Sequence, residues 1–355
     1  MSKTDKTFFP ALTGYRAIAA WIIFVYHFMP FNSDKYPAFL KNIVGNFHIG
    51  VDMFFVLSGF LITYRYFNDH PIHIKKYMVN RIARIYPMYF LITAAVFGVW
   101  LLQNSSWNSE KTIEAILSFT MTKALFAKYS LTGIPQGWTL TLEELFYFTA
   151  PFYFILIRKN KWWLIGIPII IFIFGTSLKT LTNIPENTWE FMQKNISTYI
   201  FEFFAGIGLG YLILKKEINF KNQWVTWFGL FFILFYLLFK HHFYNIPNFR
   251  TEVGRAVEII ILSMFGIVPL LWGLIYERTI IQKILSTRTF VLLGKSSYIF
   301  YLIHKGFVPI FINDYISDNK LVIFVILNLI SIGLFLLIEE PMNNLIRKKF
   351  GKAKT

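Results

Sequence analysis

The chain alternates between long apolar runs and short polar segments. A transmembrane helix needs about 20 mostly apolar residues, and the apolar runs come close to that length. The pattern therefore predicts an all-α, polytopic membrane fold with about ten transmembrane helices and both termini in the cytoplasm. The predicted spans cover residues 13–29, 48–67, 86–102, 138–157, 162–178, 196–214, 224–240, 256–276, 290–311 and 321–338.

The positions of the basic residues support this topology. Segments predicted to face the cytoplasm carry about twice as many Lys and Arg residues as the outer segments, as the positive-inside rule expects. Two segments lie outside the spans: a basic loop at 69–85, which ends before Pro87, and an outer segment at 103–137. The apolar middle of the outer segment, residues 113–127, is too short to cross a bilayer, so it is expected in the interface or in a re-entrant loop.

Composition narrows the class of protein further. Apolar residues make up 55% of the chain and charged residues 15%, against about 25% charged residues in soluble domains. The excess of cytoplasmic Lys and Arg explains most of the net charge of +16, so no nucleic-acid partner is expected. The chain has no cysteine, which excludes disulfides, a thiolate nucleophile and a Cys-ligated metal.

These observations predict a multi-pass protein of the inner or plasma membrane, in contact with the lipid bilayer. We divide the chain into a transmembrane domain at residues 1–345 and a short basic cytoplasmic tail at 346–355. The oligomeric state is left open.

The first apolar run carries two ionisable residues, Arg16 and His27. They are eleven positions apart, which on a helix is roughly 16 Å of rise and about 20° of rotation, so both lie on one face. A centred arginine costs at least ~2.5–3.5 kcal/mol, and such groups usually face the protein interior or a wet cavity. The alternative is that Arg16 reaches the headgroups and His27 lies at the interface.

Ionisable residues occur at two predicted depths. The outer layer holds His27, Asp52, Glu143, Glu144 and His304, and the inner layer holds Arg16, Arg81, Arg84, Glu339 and Glu340. Asp52 and His27 suit acid–base chemistry, but a purely structural pair is the alternative. Arg81 and Arg84 are three positions apart on one helix face. Two guanidinium groups there suit a phosphate, and a basic loop beside anionic lipid is the alternative.

Several further patterns have mainly structural interpretations. Arg255 and Glu258 are three positions apart and are expected to pair with each other, whereas Glu202 has no assigned role. Gly206 and Gly210 predict close packing of two helices.

Four histidines lie in predicted loops, and these are His70, His73, His241 and His242. No carboxylate or cysteine completes a metal site around them, so no metal is predicted.

Six short motifs follow one another along the chain. They are Arg16 and His27 in an Arg-x10-His pattern, Gly50–Leu61, Arg81–Arg84 with Pro87, Trp138–Tyr147, Gly294–Tyr298 leading into Tyr301–His304, and Glu340–Pro341. In this order and at these predicted depths, they resemble the motifs of the membrane-bound acyltransferase family 3. Thr139 stands where the family commonly has serine, and it keeps the hydroxyl group.

The resemblance implies O-acylation, usually O-acetylation, of an extracytoplasmic carbohydrate, with acetyl-CoA from the cytoplasm as the acyl donor. Surface polysaccharide, peptidoglycan and lipid-linked sugars are all possible acceptors. The soluble esterase-like domain fused to some family members is not expected here. Further candidate site residues that the resemblance suggests are Trp138, Tyr147, Ser297, Tyr298 and His304.

The ionisable residues suit this reaction. A sugar hydroxyl needs a base within hydrogen-bond reach, and His27 would act as a general base or as an acyl carrier. A carboxylate from Asp52 or Glu143 would fix the tautomer of the imidazole, and Glu144 is the neighbouring candidate. The phosphates of the donor would bind to Arg16, Arg81 and Arg84.

Two other classes of protein are alternatives. A transporter or flippase would use the ionisable layer as a proton relay, but the sequence shows no inverted repeat and no paired broken helices. A non-catalytic component of a polysaccharide assembly system would need no reactive histidine.

Overall fold

The computed structural model describes residues 8–31, 36–69, 71–104, 106–182, 196–216, 224–244 and 251–351, without the side chains of 179–182 and 241–244. Every regular element in these ranges is helical, which confirms the all-α fold class. The helices are α1 (Pro10–Phe28), α2 (Ala38–Gly45), α3 (Ile49–Tyr66), α4 (Ile74–Gln103), α5 (Ser109–Phe119), α6 (Trp138–Lys159), α7 (Trp163–Thr182), α8 (Ile200–Lys215), α9 (Val225–Tyr244), α10 (Glu252–Tyr276), α11 (Ile280–Leu285), α12 (Arg288–Ile303), α13 (Phe307–Tyr315) and α14 (Lys320–Phe350).

The described helices support a membrane protein. Those long and apolar enough to cross a bilayer are six stretches, Pro10–Phe28, Ala38–Tyr66, Ile74–Gln103, Pro135–Lys159, Glu252–Tyr276 and Lys320–Phe350. Two shorter apolar helices, Trp163–Leu178 and Val225–Lys240, coincide with further predicted spans. The total of ten spans and the cytoplasmic position of both termini stay predictions.

The chain divides into two units. Unit 1 comprises Met1–His70 and Phe201–Lys295, and unit 2 comprises Pro71–Ile200 and Ser296–Thr355. Unit 1 has an apolar core to which α1, α3, α8, α9 and α10 contribute. Representative core residues, in that order of helices, are Leu12, Phe60, Leu209, Tyr236 and Leu271.

Within unit 1, α3 and α8 are in backbone contact. A Cβ atom at Gly206 would lie 1.9 Å from the carbonyl oxygen of Val56, and one at Gly210 would lie 2.8 Å from the Cβ of Thr63. Only glycine leaves room for so close an approach. The predicted close packing at Gly206 and Gly210 is therefore confirmed.

In unit 2, α4 corrects the predicted loop at 69–85. The sequence pattern predicts an end to helical structure before Pro87, because proline lacks an N–H and its ring crowds the preceding turn. Instead, one helix runs from Ile74 through Pro87 to Gln103. Within a span, surrounding groups compensate for the backbone bond that proline removes. Arg81 and Arg84 consequently belong to the same long helix as the predicted third span.

The predicted span at 290–311 is also interrupted. Helix α12 ends at Ile303 and α13 begins at Phe307. Gly306 between them has φ 104° and ψ −150°, a conformation that is essentially restricted to glycine. Hydropathy alone does not detect this break, because the flanking residues are apolar on both sides.

The C-terminal span also differs from the prediction. The predicted span at 321–338 continues as helix to Phe350, so α14 includes the first residues of the predicted tail. Residues 352–355 lie outside the described ranges, and the division at residue 345 stays a prediction.

The outer segment of unit 2 folds into short helical pieces. Helix α5 begins after Asn108, whose side chain accepts a hydrogen bond from the backbone N–H of Lys111 at 2.8 Å. Three 3-10 turns follow, at Lys123–Leu125, Ala127–Tyr129 and Pro135–Gly137. The apolar stretch at 113–127 is thus divided between α5, the first of these turns and the start of the second, and α6 begins directly after the last.

Candidate functional site

The two ionisable residues of α1 differ in their surroundings. Arg16 is half-buried, and its guanidinium group lies 5.9 Å from the centre of the Phe54 ring. His27 is exposed in the last turn of the helix. The ring of Tyr26 lies 5.1 Å from the imidazole of His27 and 5.7 Å from that of His48. The expectation that such residues face the protein interior therefore fits Arg16 better than His27.

Asp52 and Glu202 form an acid pair in unit 1. Asp52 is 7% exposed and Glu202 is fully buried, and the Glu202 carboxyl lies within hydrogen-bonding reach of the Asp52 carboxyl. Close contact between α3 and α8 at the glycines described above brings the two side chains together. Two carboxyl groups at this distance repel each other unless a proton lies between them. The structure thus gives Glu202, to which the sequence assigns no role, a buried acidic neighbour on α3.

A second polar group in unit 1 surrounds Glu258. The Lys240 ammonium lies 2.8 Å from Glu258 Oε1 and 3.1 Å from Nε2 of His48. Tyr236 donates its hydroxyl hydrogen bond to the same carboxylate. Lys240 is thus an ion-pair partner of Glu258, and the pairing of Glu258 with Arg255 stays a prediction. Sequence reasoning missed His48, although its spacing of four from Asp52 places both on one face of a helix.

In unit 2, Arg81 lies among residues of α6, and we call Arg81, Glu143, Glu144 and Tyr147 the Arg81 cluster. Arg81 is 4% exposed, and its guanidinium group lies 5.0 Å from the centre of the Tyr147 ring. Tyr147 donates a hydrogen bond to Glu143, and the charge of Arg81 also acts on Glu144. The hydroxyl of Tyr77, one turn from Arg81, donates to the carbonyl oxygen of Tyr147 at 2.5 Å.

The sequence predicts Arg81 in an inner layer and the two glutamates in an outer layer. The Arg81 cluster brings these residues together, so the predicted separation is wrong. The predicted layers follow from placing Arg81 in a cytoplasmic loop. Because α4 begins at Ile74, Arg81 is two turns inside a helix, and its long side chain reaches the middle of α6. Arg84, one turn further on, is half-buried.

The C-terminal motif residues from Ser296 onward lie in the same unit as the Arg81 cluster. Tyr298 is buried and donates its hydroxyl to the carbonyl oxygen of Ile85 at 2.9 Å, and Ser297 is buried beside it in sequence. His304 is fully buried, with Nδ1 2.7 Å from the carbonyl oxygen of Tyr301. Since a carbonyl can only accept, Nδ1 carries the proton.

Two residues of the Trp138–Tyr147 motif fix the start of α6. Trp138 packs against Tyr199, with ring centres 5.7 Å apart. The hydroxyl groups of Thr139 and Tyr301 lie 2.9 Å apart. The hydroxyl that Thr139 keeps in place of serine therefore has a specific partner in the C-terminal motif.

Lys123 is a functional candidate that sequence reasoning missed. It is fully buried in the outer segment, and its ammonium group donates to the carbonyl oxygens of Thr132, at 2.5 Å, and of Ile134. Burial lowers the pKa of Lys123 to about 7, and the nearby charge of Glu114 opposes this shift. A lysine within an apolar stretch too short to span was the available signal.

Among the residues that the structure describes, no group of three or more His, Cys, Asp or Glu residues could hold a metal ion. His70 and the side chains of His241 and His242 lie outside the described part of the chain. The absence of a metal role stays a prediction.

Comparison with known proteins identifies one family and several relatives. A family model described as an acyltransferase domain matches residues 9–340. A candidate acetyltransferase of Acidianus two-tailed virus is 27% identical over 84% of this chain and 83% of that protein. A candidate O-acetyltransferase of Staphylococcus aureus strain COL is 26% identical over 97% of this chain. The peptidoglycan O-acetyltransferase of Listeria monocytogenes is 22% identical over 87% of this chain.

The chain spans 58% of the length of the Staphylococcus protein and 51% of the Listeria protein. No solved structure matches it.

Proposed function

Because this chain belongs to the membrane-bound acyltransferase family 3, we propose that it transfers an acetyl group from cytoplasmic acetyl-CoA to a hydroxyl of an extracytoplasmic carbohydrate. The observation that carries this proposal is the family match over residues 9–340, which includes all the ionisable motif residues. The relatives named as acetyltransferases and O-acetyltransferases support acetyl as the group transferred. The inner or plasma membrane is the proposed location.

His27 is the proposed reactive residue. As a general base, it takes the proton of the sugar hydroxyl while the oxygen attacks the thioester carbonyl carbon. The C–S bond then breaks, and the CoA thiolate takes the proton back from the imidazolium. In the alternative route, His27 attacks the thioester carbonyl carbon, the C–S bond breaks and CoA leaves as the thiol. The sugar hydroxyl then attacks the acyl-histidine, which transfers the acetyl group and restores His27. Its exposure at the end of α1 suits either role, because both substrates must reach the ring.

A carboxylate would orient His27 and stabilise its imidazolium form. Asp52 is our first candidate because it lies in the same unit, and Glu143 is the alternative. Glu202 would influence Asp52 through the acid pair.

The donor phosphates require cationic groups with accessible donors. Arg16 and Arg84, which are both half-buried, are the proposed ligands of these phosphates. Arg81, buried over Tyr147, would add its charge and hold α4 in place. The acceptor is a surface polysaccharide, peptidoglycan or a lipid-linked sugar, and the Listeria relative favours peptidoglycan among these.

The test uses the purified full chain in lipid nanodiscs with acetyl-CoA labelled in the acetyl group. We expect labelled glycan product with wild type and a loss of about 10²- to 10⁴-fold with His27→Ala, since one general base contributes that much. His73→Ala is the matched control, because His73 is also exposed and lies before α4.

Normal transfer by a folded His27→Ala protein would contradict the proposed role of His27. Movement of an unmodified glycan or acyl donor across the membrane, without product, would instead favour the transporter alternative.

A further inference from the structure

Unit 2 contains a pocket at the end of α4, and we call it the Trp100 pocket. Its volume is about 250 Å³, and its lining includes Phe97, Trp100, Gln103, Lys111, Glu114 and Lys305. This volume is just below the range of about 300–1,000 Å³ for sites that bind drug-sized ligands. A single small ring with polar substituents suits such a space.

The walls of the Trp100 pocket are aromatic. Lys111 packs its ammonium group 4.5 Å from the centre of the Trp100 ring and 5.7 Å from that of Phe97. Trp107 meets Trp100 edge-to-face at 5.6 Å. These contacts fix the orientation of the rings before any ligand arrives, which lowers the entropy cost of binding.

A donor and an acceptor lie side by side in the same pocket. The Lys111 ammonium is 2.7 Å from Glu114 Oε2, and both side chains are mostly buried. The side-chain cap of Asn108 on the backbone of Lys111 holds this pair at the start of α5. A purely apolar ligand would desolvate the ion pair without replacing its hydrogen bonds. A sugar offers hydroxyl groups to the pair and apolar C–H faces to the rings.

The pocket also adjoins two of the sequence motifs. Leu302 and Ile303, which directly precede His304, contribute to its lining, as does Ile134. Gln136 donates a hydrogen bond to the carbonyl oxygen of Leu302 at 2.5 Å and so joins the two lining segments. A ligand in this pocket would contact the segments that position Trp138 and His304.

We propose that the Trp100 pocket binds one pyranose ring of the carbohydrate acceptor. This inference rests on the proposed function, to which it adds a location for the acceptor. The aromatic side chains stack on the ring face, Glu114 accepts from one hydroxyl, and Lys111 donates to its neighbour. Lys305, exposed beside the pocket, favours a neutral or acidic sugar over a basic one.

The test measures binding of β-1,4-linked N-acetylglucosamine oligomers to the full chain in nanodiscs, by saturation-transfer NMR and calorimetry without acetyl-CoA. We expect the dissociation constant to rise about tenfold in Trp100→Ala, which removes a stacking face, and in Glu114→Gln, which removes a charged hydrogen-bond acceptor. Trp162→Ala is the matched control, because Trp162 is exposed and does not line the pocket. Glu114→Gln keeps the side-chain shape and decides the question if Trp100→Ala fails to fold.

Equal affinity of wild type and both pocket variants, or no binding of the oligomers to wild type, would overturn the pocket assignment. Acetyl transfer is measured separately on the same samples. Weaker binding in the variants together with no transfer by wild type would sustain the pocket and contradict the proposed function. Acetyl transfer with an unchanged KM for the acceptor in both variants would support the proposed function and contradict the pocket assignment.

Discussion

The two buried polar clusters handle charge in different ways. In unit 1, the Glu202 carboxyl lies within hydrogen-bonding reach of another carboxyl, that of Asp52. In unit 2, Arg81 places a cation against an aromatic face and beside two glutamates. A cation with complementary neighbours holds helices in place, whereas two acids in contact repel each other unless they share a proton. We therefore expect the loss of a charge to destabilise the Arg81 cluster more than the acid pair.

Removing the cation should have the largest effect. Arg81→Met keeps the apolar part of the side chain but removes the buried positive charge that acts on Glu144. Breaking a buried charge pair from one side costs about 3–5 kcal/mol, so we expect a lower melting temperature in nanodiscs. Arg84→Met is the control, because Arg84 is only half-buried. An equal loss in both variants would contradict the special position of Arg81.

Separating α3 from α8 should break the acid pair. In Gly206→Ala, the new Cβ meets the backbone at Val56, and we expect destabilisation of about 1–3 kcal/mol from overpacking. The control is Gly208→Ala on the same helix, where nothing lies within 4 Å of the added Cβ. That variant should be neutral or slightly more stable in the same thermal unfolding measurement, since alanine favours the helix.

Lys123 extends the comparison of the two clusters to a buried cation that donates hydrogen bonds to backbone carbonyl oxygens. Its pKa of about 7 lies below the ordinary 10.5, so between these values the unfolded chain binds a proton that the folded chain does not. Stability should therefore rise with pH in this window, by up to about 1.4 kcal/mol per pH unit, and fall as the pH drops towards 7.

The measurement for Lys123 is hydrogen exchange of the outer segment at several pH values, corrected for the intrinsic exchange rate. The pH dependence should disappear in Lys123→Met. It should persist in Lys128→Met, because Lys128 is exposed and bonded to Glu110, which raises its pKa. Identical pH profiles for wild type and Lys123→Met would show that the buried amine does not titrate there.

The smallest effects should separate the two clusters most directly. Glu202→Gln supplies an N–H donor to Asp52, so we expect stability to stay equal or to rise by up to about 1 kcal/mol. Tyr147→Phe removes the hydrogen bond that Glu143 accepts in the Arg81 cluster and should lower stability by about 1 kcal/mol. Parallel thermal unfolding of the two variants measures this difference, and changes of the same sign would contradict the contrast between the clusters.

Several features of the fold could be predicted because they depend on local sequence. Apolar runs and Lys/Arg bias indicated helices in a membrane, and Gly206 and Gly210 indicated close packing. The predictions at Pro87 and at 290–311 were wrong for a common reason. The groups that surround the backbone decide whether a helix continues through a proline or is interrupted between two apolar segments. Hydropathy contains no information about these surrounding groups.

The sequence by itself determined that this is an all-helical membrane protein with ionisable side chains in its apolar segments, and its motifs determined the family. Only the tertiary structure decided which of those side chains meet. The acid pair joins residues 150 positions apart, and the Arg81 cluster joins α4 to α6 across the whole outer segment. Partner choice depends on helix packing and side-chain reach, which are three-dimensional properties. For this reason His27 and Arg16, so similar along one helix face, end in different surroundings.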